Sequence, residues 1–147
     1  MPQDHFQRLK HAYPGSKLLI VSNTAGTDSD KDQKESVLLE ANTGVKVLRH
    51  STKKPGCKEE VMAYFKAHPD SGVTRPDQIA VVGDRLSTDI MMANMMGSYG
   101  VWVRDGVTPP GFVCKNGRSV TRLPLSTRIL CARSKTSESL RVVGMLV

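Results

Sequence analysis

Short apolar runs that stop at a small polar residue or a glycine recur along this chain, and they restrict it to one broad class of fold. Leu18-Leu19-Ile20-Val21 ends at Ser22-Asn23-Thr24, Val45-Lys46-Val47-Leu48 precedes Lys53-Lys54-Pro55-Gly56, and Ile79-Ala80-Val81-Val82 stops at Gly83-Asp84. Each run is bounded by turn residues and is too short for a buried helix, so each reads as a strand. Helices are expected over residues 3–12 (closed by Pro14-Gly15), 32–42, 58–67 (ending near Pro69) and 87–96. Strands are expected over 17–22, 45–48, 78–83 and 99–103. In the second helix Val37, Leu38 and Ala41 share a face and Gly44 supplies the stop. Strands alternating with helices predict an α/β architecture with a parallel sheet.

The strand ends carry the chemistry. After Val81-Val82-Gly83 come Asp84 and Asp89, separated by Arg85-Leu86-Ser87-Thr88. Carboxylates at the end of a strand suit Mg²⁺, which keeps several waters and meets protein through one or two carboxylates plus a substrate phosphate. Ser22 and Asn23 end the first strand, where a hydroxyl and backbone N–H groups can bond a phosphate. Lys54 precedes Pro55, which pushes it into an extended shape and aims a compact positive charge. Each group also has a plainer reading: Ser22 as a turn residue, Lys54 as a solvated cation, Asp84 and Asp89 as turn and helix-start residues. Open parallel sheets bind ligands outside the carboxyl ends of their strands, so serine, lysine and the acidic pair are expected to converge on one crevice.

In that order, VSN with Ser22, KKPG with Lys54 and GDRLSTD with Asp84 and Asp89 resemble the second, third and fourth motifs of the haloacid dehalogenase superfamily of Mg²⁺-dependent phosphatases. More narrowly, VSNTAGT, TGVKVLRHSTKKPGC and IAVVGDRLSTDIMMANMMGSYGVWVRDG are similar to the mitochondrial phosphatidylglycerophosphate phosphatases of fungi and plants, a likeness covering about residues 17–107. The resemblance implies a Rossmann-like sheet in a phosphatase domain over 1–107. It implies Mg²⁺ as cofactor and phosphatidylglycerophosphate or another phosphomonoester as substrate. It also implies a place in cardiolipin synthesis at the matrix face of the inner mitochondrial membrane. By the same resemblance Ser22 and the Asn23 backbone bind the phosphate and Lys54 neutralises its charge. Asp84 holds the metal, and Asp89 orients Lys54 or a metal-bound water. Arg85 either touches a headgroup or is a surface partner of the acidic loop.

The superfamily's first motif, an apolar strand ending in DxD whose first aspartate attacks phosphorus, has no counterpart before Lys17, where Asp4 is the only acidic residue. Asp28-Ser29-Asp30-Lys31-Asp32 spells DxD but follows a turn and the second motif. As a calcium loop it lacks the needed glycine, at Gln33, and the twelfth-position carboxylate, at Leu39. It is expected to be a solvated loop leading into a helix. The resemblance therefore implies a partial domain without its central first strand, the one lying between the strands that carry Ser22 and Asp84. That arrangement predicts two unpaired interior edges and poor stability in isolation. The rival reading is a non-catalytic module that binds phosphate or a partner in the same crevice.

Composition narrows the rest. The chain has 147 residues, the size of one ordinary domain. No stretch approaches the roughly 20 apolar residues of a membrane-spanning helix. Cys57, Cys114 and Cys131 form no CxxC pair, which argues against a zinc site or a disulfide framework. Cys57 is expected to be a small apolar residue at a helix start and His50 a solvated loop residue. Met91, Met92, Met95 and Met96 fall at helical spacing and read as a packing face. Nearly all of the net charge of +7 comes from the end of the chain: residues 107–147 hold seven Lys/Arg against Glu138 alone. That basic segment, 108–147, is expected to be an irregular or mistranslated tail with no selected role, the alternatives being contact with anionic lipid or with RNA phosphates by charge alone. Nothing in it points to specific nucleic-acid recognition. Asp4 comes too early, and serine is too scarce before Ser16, for a clear transit peptide.

Overall fold

A computed structural model describes residues 3–103, so the expected tail over 108–147, with Cys114 and Cys131, lies outside the described residues. The order is α1 (Gln3–Ala12), β1 (Leu19–Ile20), α2 (Lys34–Thr43), β2 (Lys46–Val47), α3 (Lys58–Ala67), β3 (Ala80–Gly83), a π-helical turn (Leu86–Ile90), α4 (Met91–Met96) and β4 (Tyr99–Trp102). The helix-strand alternation is that of an α/β fold, with every strand pair parallel. The strands are shorter than their apolar runs. Leu18 and Val21 flank β1, buried but outside its two-residue ladder.

Side-chain alternation along β1 divides the core in two. Leu18 and Ile20 face one side, with Val45, Val47 and the half-buried Phe6, Leu9 and Tyr13 of α1. Leu19 and Val21 face the other, packed in one cluster with Val61 and Phe65 of α3, Ile79 and Val81 around β3, and Met92 of α4. Both faces of the strands are thus covered, as a parallel arrangement requires. Phe65 is fully buried at the centre of the larger cluster. Phe65→Ala is expected to cost about 3–5 kcal/mol through lost contacts and the cavity left behind, read as a lower urea midpoint.

The strands form two separate pairs, β1 with β2 and β3 with β4, and no ladder joins the pairs among the described residues. The facing edges of β1 and β3 carry no ladder between them among the described residues. They do not lie open to solvent, because Leu19, Ile20, Val21, Ile79, Ala80 and Val81 are all at most 1% exposed.

Helix α2 departs from its expected packing. Val37 and Leu38 are 56% and 62% exposed, and Ala41 faces solvent with them. The inner face is Ser36, Leu39, Glu40 and Thr43, and polar anchors fix it. The Glu40 carboxylate accepts the Val47 N–H at 2.9 Å and pairs with Lys46 and Arg49. Burial opposes its ionisation, yet those donors hold its pKa below the usual value. Gly44 ends the helix at φ +68 with its N–H on the Glu40 carbonyl, a left-handed stop that a side chain would strain. Lys10 of α1 donates to the Thr43 carbonyl at 2.6 Å, placing a cation at the negative end of α2.

The acidic string before α2 is not simply solvated. Asp28 and Asp32 are exposed, but Asp30 is buried and accepts N–H groups from Gly26 at 3.0 Å and from Glu35 and Ser36, both at 2.9 Å. Burial opposes its ionisation, but these donors and the Ser36 hydroxyl prevail and bring its pKa from 3.8 to about 2. The stabilisation this carboxylate provides is complete above its unfolded-state pKa and disappears as pH falls toward 2. Asp30→Asn is expected to lower the thermal midpoint at neutral pH and to flatten the decline between pH 4 and pH 2 seen in the parent chain.

Candidate active site

Three segments leave the carboxyl ends of β1, β2 and β3, and hydrogen bonds tie them into one cluster. The Asn23 side-chain oxygen, after β1, accepts the backbone N–H of Lys54 at 2.7 Å. The Lys54 ammonium, after β2, donates to Asp89 Oδ1 at 2.7 Å, and both side chains are at most 2% exposed. Asp89 Oδ2 accepts the backbone N–H of Arg85 at 3.2 Å, after β3. The Lys54–Pro55 peptide is cis.

The local chain makes these contacts possible. Asp89 turns back beneath the end of β3, and a Cβ on Gly83 would overlap its carboxylate, so glycine is required there. A π-helical turn achieves this reversal: the Asp89 and Ile90 N–H groups both reach the Arg85 carbonyl, at 2.9 and 3.3 Å. The helix expected from residue 87 thus begins as a wider coil, which brings Asp89 inward.

Ser22 and Asp84 flank this cluster, each next in sequence to one of its members. The Ser22 oxygen accepts the N–H groups of Thr24 at 3.2 Å and Ala25 at 3.3 Å and lies 3.1 Å from the Thr24 hydroxyl, the geometry of a serine turn. The Asp84 carbonyl accepts the Trp102 indole N–H at 3.0 Å, so β4 pins the residue in place. Its side-chain Oδ1 is buried with no hydrogen-bond partner, as is the hydroxyl of Thr88. A buried carboxylate oxygen without a donor is costly unless a cation meets it.

That orphaned oxygen is the test of metal fit. Asp89 has both oxygens engaged by donors, whereas Asp84 keeps one open, and the buried Thr88 hydroxyl, likewise without a partner, is also a hard oxygen. Among the described residues no cluster of three or more His, Cys, Asp or Glu could cage a metal. The donors fit Mg²⁺, which takes one or two carboxylates and fills its octahedron with water and phosphate oxygens. They do not fit zinc.

Two residues read as unremarkable from sequence behave differently from each other. Cys57 is fully buried beside Met92, and burial with the nearby Glu60 carboxylate pushes its thiol up to about 11, so it stays protonated and inert. His50 is buried, not solvated: its backbone N–H bonds the Gly26 carbonyl at 2.8 Å and Nδ1 lies 3.2 Å from the Leu48 carbonyl. Arg85 is exposed, and no acidic partner holds it among the described residues. Sequence reasoning missed the bridging amide of Asn23, the hydroxyl of Thr88 and the indole of Trp102. The first two lay within recognised motifs, while the third had no signal beyond its place on the adjacent strand.

Comparison with known proteins gives the family of the chain. Residues 2–108 match the family model for mitochondrial PGP phosphatase. The mitochondrial phosphatidylglycerophosphatase of Saccharomyces cerevisiae is 59% identical over 103 residues, covering 70% of this chain and 55% of that protein. A Schizosaccharomyces pombe relative is 36% identical over 102 residues, covering 69% of this chain and 48% of its own length. Phosphatidylglycerophosphate phosphatase 1 of Arabidopsis thaliana, chloroplastic and mitochondrial, is 42% identical over 85 residues, 56% of this chain and 22% of that protein. The chain therefore spans about half the length of its two yeast relatives. No solved structure matches it. With a family match over most of the chain and every motif residue inside it, this protein belongs to the mitochondrial PGP phosphatase family.

Proposed function

We propose that this chain carries the phosphate-clamping part of a Mg²⁺-dependent phosphatidylglycerophosphate phosphatase acting at the matrix face of the inner mitochondrial membrane. The observation that carries the reading is the chain of contacts from Asn23 through Lys54 to Asp89, with an open Asp84 oxygen beside it. The names of the relatives supply the substrate: a lipid phosphomonoester.

In this reading the Ser22 hydroxyl and the Asn23 backbone N–H bind oxygens of the phosphate. Asn23 also fixes the Lys54 backbone, so the two clamps move as one unit. Lys54 lies between the phosphoryl group and Asp89. The carboxylate keeps the ammonium pointed, and the ammonium offsets the negative charge on the phosphoryl oxygens in the transition state. Asp84 would hold Mg²⁺. When bound, the metal neutralises the phosphate and polarises its oxygens, a contribution that in such sites is worth several kcal/mol. Asp89 orients Lys54.

The attacking carboxylate is not among these residues. Asp30 is bound by backbone donors, which disqualifies it. We assign the nucleophile to an apolar strand ending in DxD that the 147-residue sequence does not contain, one that would lie between β1 and β3 in a haloacid-dehalogenase-type sheet. This chain is then an incomplete copy of the enzyme. Two measurements test the reading. Calorimetry with inorganic phosphate is expected to give binding that strengthens with Mg²⁺ and is lost in Lys54→Met; binding indifferent to both would end it. The chain alone is expected not to hydrolyse an aryl phosphate with Mg²⁺, since turnover would place the nucleophile within it.

A further inference from the structure

The methionine cluster at the end of the chain's described part splits into two faces. Met92 and Met96 are buried with Ala93 in the main core, as expected of a packing face. Met91 and Met95 point outward, 49% and 47% exposed, and Leu86 is 55% exposed. The Met91 N–H bonds the Leu86 carbonyl, which puts these two residues one π-turn apart, and Met95 follows one α-turn later. Leu86, Met91 and Met95 therefore form a continuous apolar ridge along the outer side of the element that carries Asp89. The ridge starts two residues after Asp84.

The charges bordering this ridge are mostly positive. Arg85, beside Leu86, is exposed. Met95 shares a shallow groove with Lys58, Met62 and Lys66 of α3, with Glu59 as its single acidic member. Among the described residues none of Arg85, Lys58 and Lys66 has an ion-pair partner. Flexible apolar side chains rimmed by unpaired cations complement one surface in particular, that of an anionic bilayer. There the apolar ridge enters the acyl boundary and the cations stay among the headgroups.

We propose that the Leu86–Met91–Met95 ridge docks this protein on anionic lipid and holds the Ser22–Lys54–Asp84 crevice at headgroup depth. The proposal rests on the lipid-phosphatase reading for its purpose but not for its test. Vesicles of phosphatidylcholine, with or without phosphatidylglycerol, are sedimented with the full chain. Wild type is expected to sediment with the anionic vesicles and to keep part of that binding at about 0.5 M salt, where charge alone is screened. The combined variant Leu86→Gln, Met91→Gln, Met95→Gln is expected to lose about ten-fold or more of the partitioning at both salt levels, with its thermal midpoint retained. Lys66→Glu is expected to weaken binding at low salt only.

Unchanged partitioning of the triple variant would overturn the proposal and assign lipid binding to the basic residues after 107. So would a change in oligomeric state, seen by sedimentation velocity, without a change in vesicle binding, because the ridge would then be a protein interface. Phosphate binding is read separately. A triple variant that keeps Mg²⁺-dependent phosphate binding separates docking from the clamp, and Asp84→Asn is expected to sediment like wild type.

Discussion

Lys54→Ala is expected to destabilise the protein by about 3–5 kcal/mol, because it leaves the Asp89 carboxylate buried without its counter-charge. A domain of this size has a total stability of about 5–15 kcal/mol, so the variant would lose a large share of it. The cost comes from stranding a charge, not from an intrinsically strong pair: desolvating both ions consumes most of their attraction. The double variant Lys54→Met, Asp89→Asn removes both charges and keeps an oxygen for the Arg85 N–H. It is expected to be clearly more stable than Lys54→Ala in urea unfolding, yet as unable to bind phosphate. That combination would show the pair is retained for its chemistry. Lys54→Ala within about 0.5 kcal/mol of wild type, the range of an ordinary surface substitution, would show instead that the ammonium is not buried against Asp89.

The parts of this site legible in the sequence were those governed by chain direction. Ser22, Lys54 and Asp84 each follow an apolar run, and parallel strands carry such residues to the same end of the fold, so their convergence needed no knowledge of side-chain contacts. Helices α1 and α3 were legible end to end, because Pro14-Gly15 and Pro69 stop them and one apolar stripe faces the strands. What was hidden depends on partners distant in sequence. Asn23 meets Lys54 across 31 positions and Lys54 meets Asp89 across 35, and no local pattern announces either bond. Asp30 was misjudged for a related reason. A carboxylate surrounded by polar residues reads as solvated, but one that accepts several backbone N–H groups can stay ionised while buried. Polar anchoring also turned the apolar residues Val37 and Leu38 of α2 outward, against hydrophobic periodicity.

Asp84→Asn is expected to separate function from folding in the opposite sense. The Trp102 indole holds the Asp84 main-chain carbonyl, not its side chain, so the substitution leaves that anchor intact. It converts a carboxylate with a buried, unpartnered oxygen into a neutral amide, which without metal is expected to leave stability unchanged or raise it by up to about 1 kcal/mol. On the proposed reading Mg²⁺ would supply the missing partner in the parent chain. Metal that binds the folded state alone stabilises by RT ln(1 + [L]/Kd), so the wild-type melting temperature should climb with added Mg²⁺ while that of the variant stays flat. Once the attacking strand is supplied, the same substitution is expected to cut Mg²⁺-dependent phosphate release from phosphatidylglycerophosphate at least about a hundred-fold, the kinetic equivalent of several kcal/mol of lost charge stabilisation. A variant that still responds to Mg²⁺ in both assays would move the metal to other ligands. A variant that loses activity and stability together would make Asp84 a structural residue, since a residue kept for charge chemistry at a cost to the fold should lose only the former.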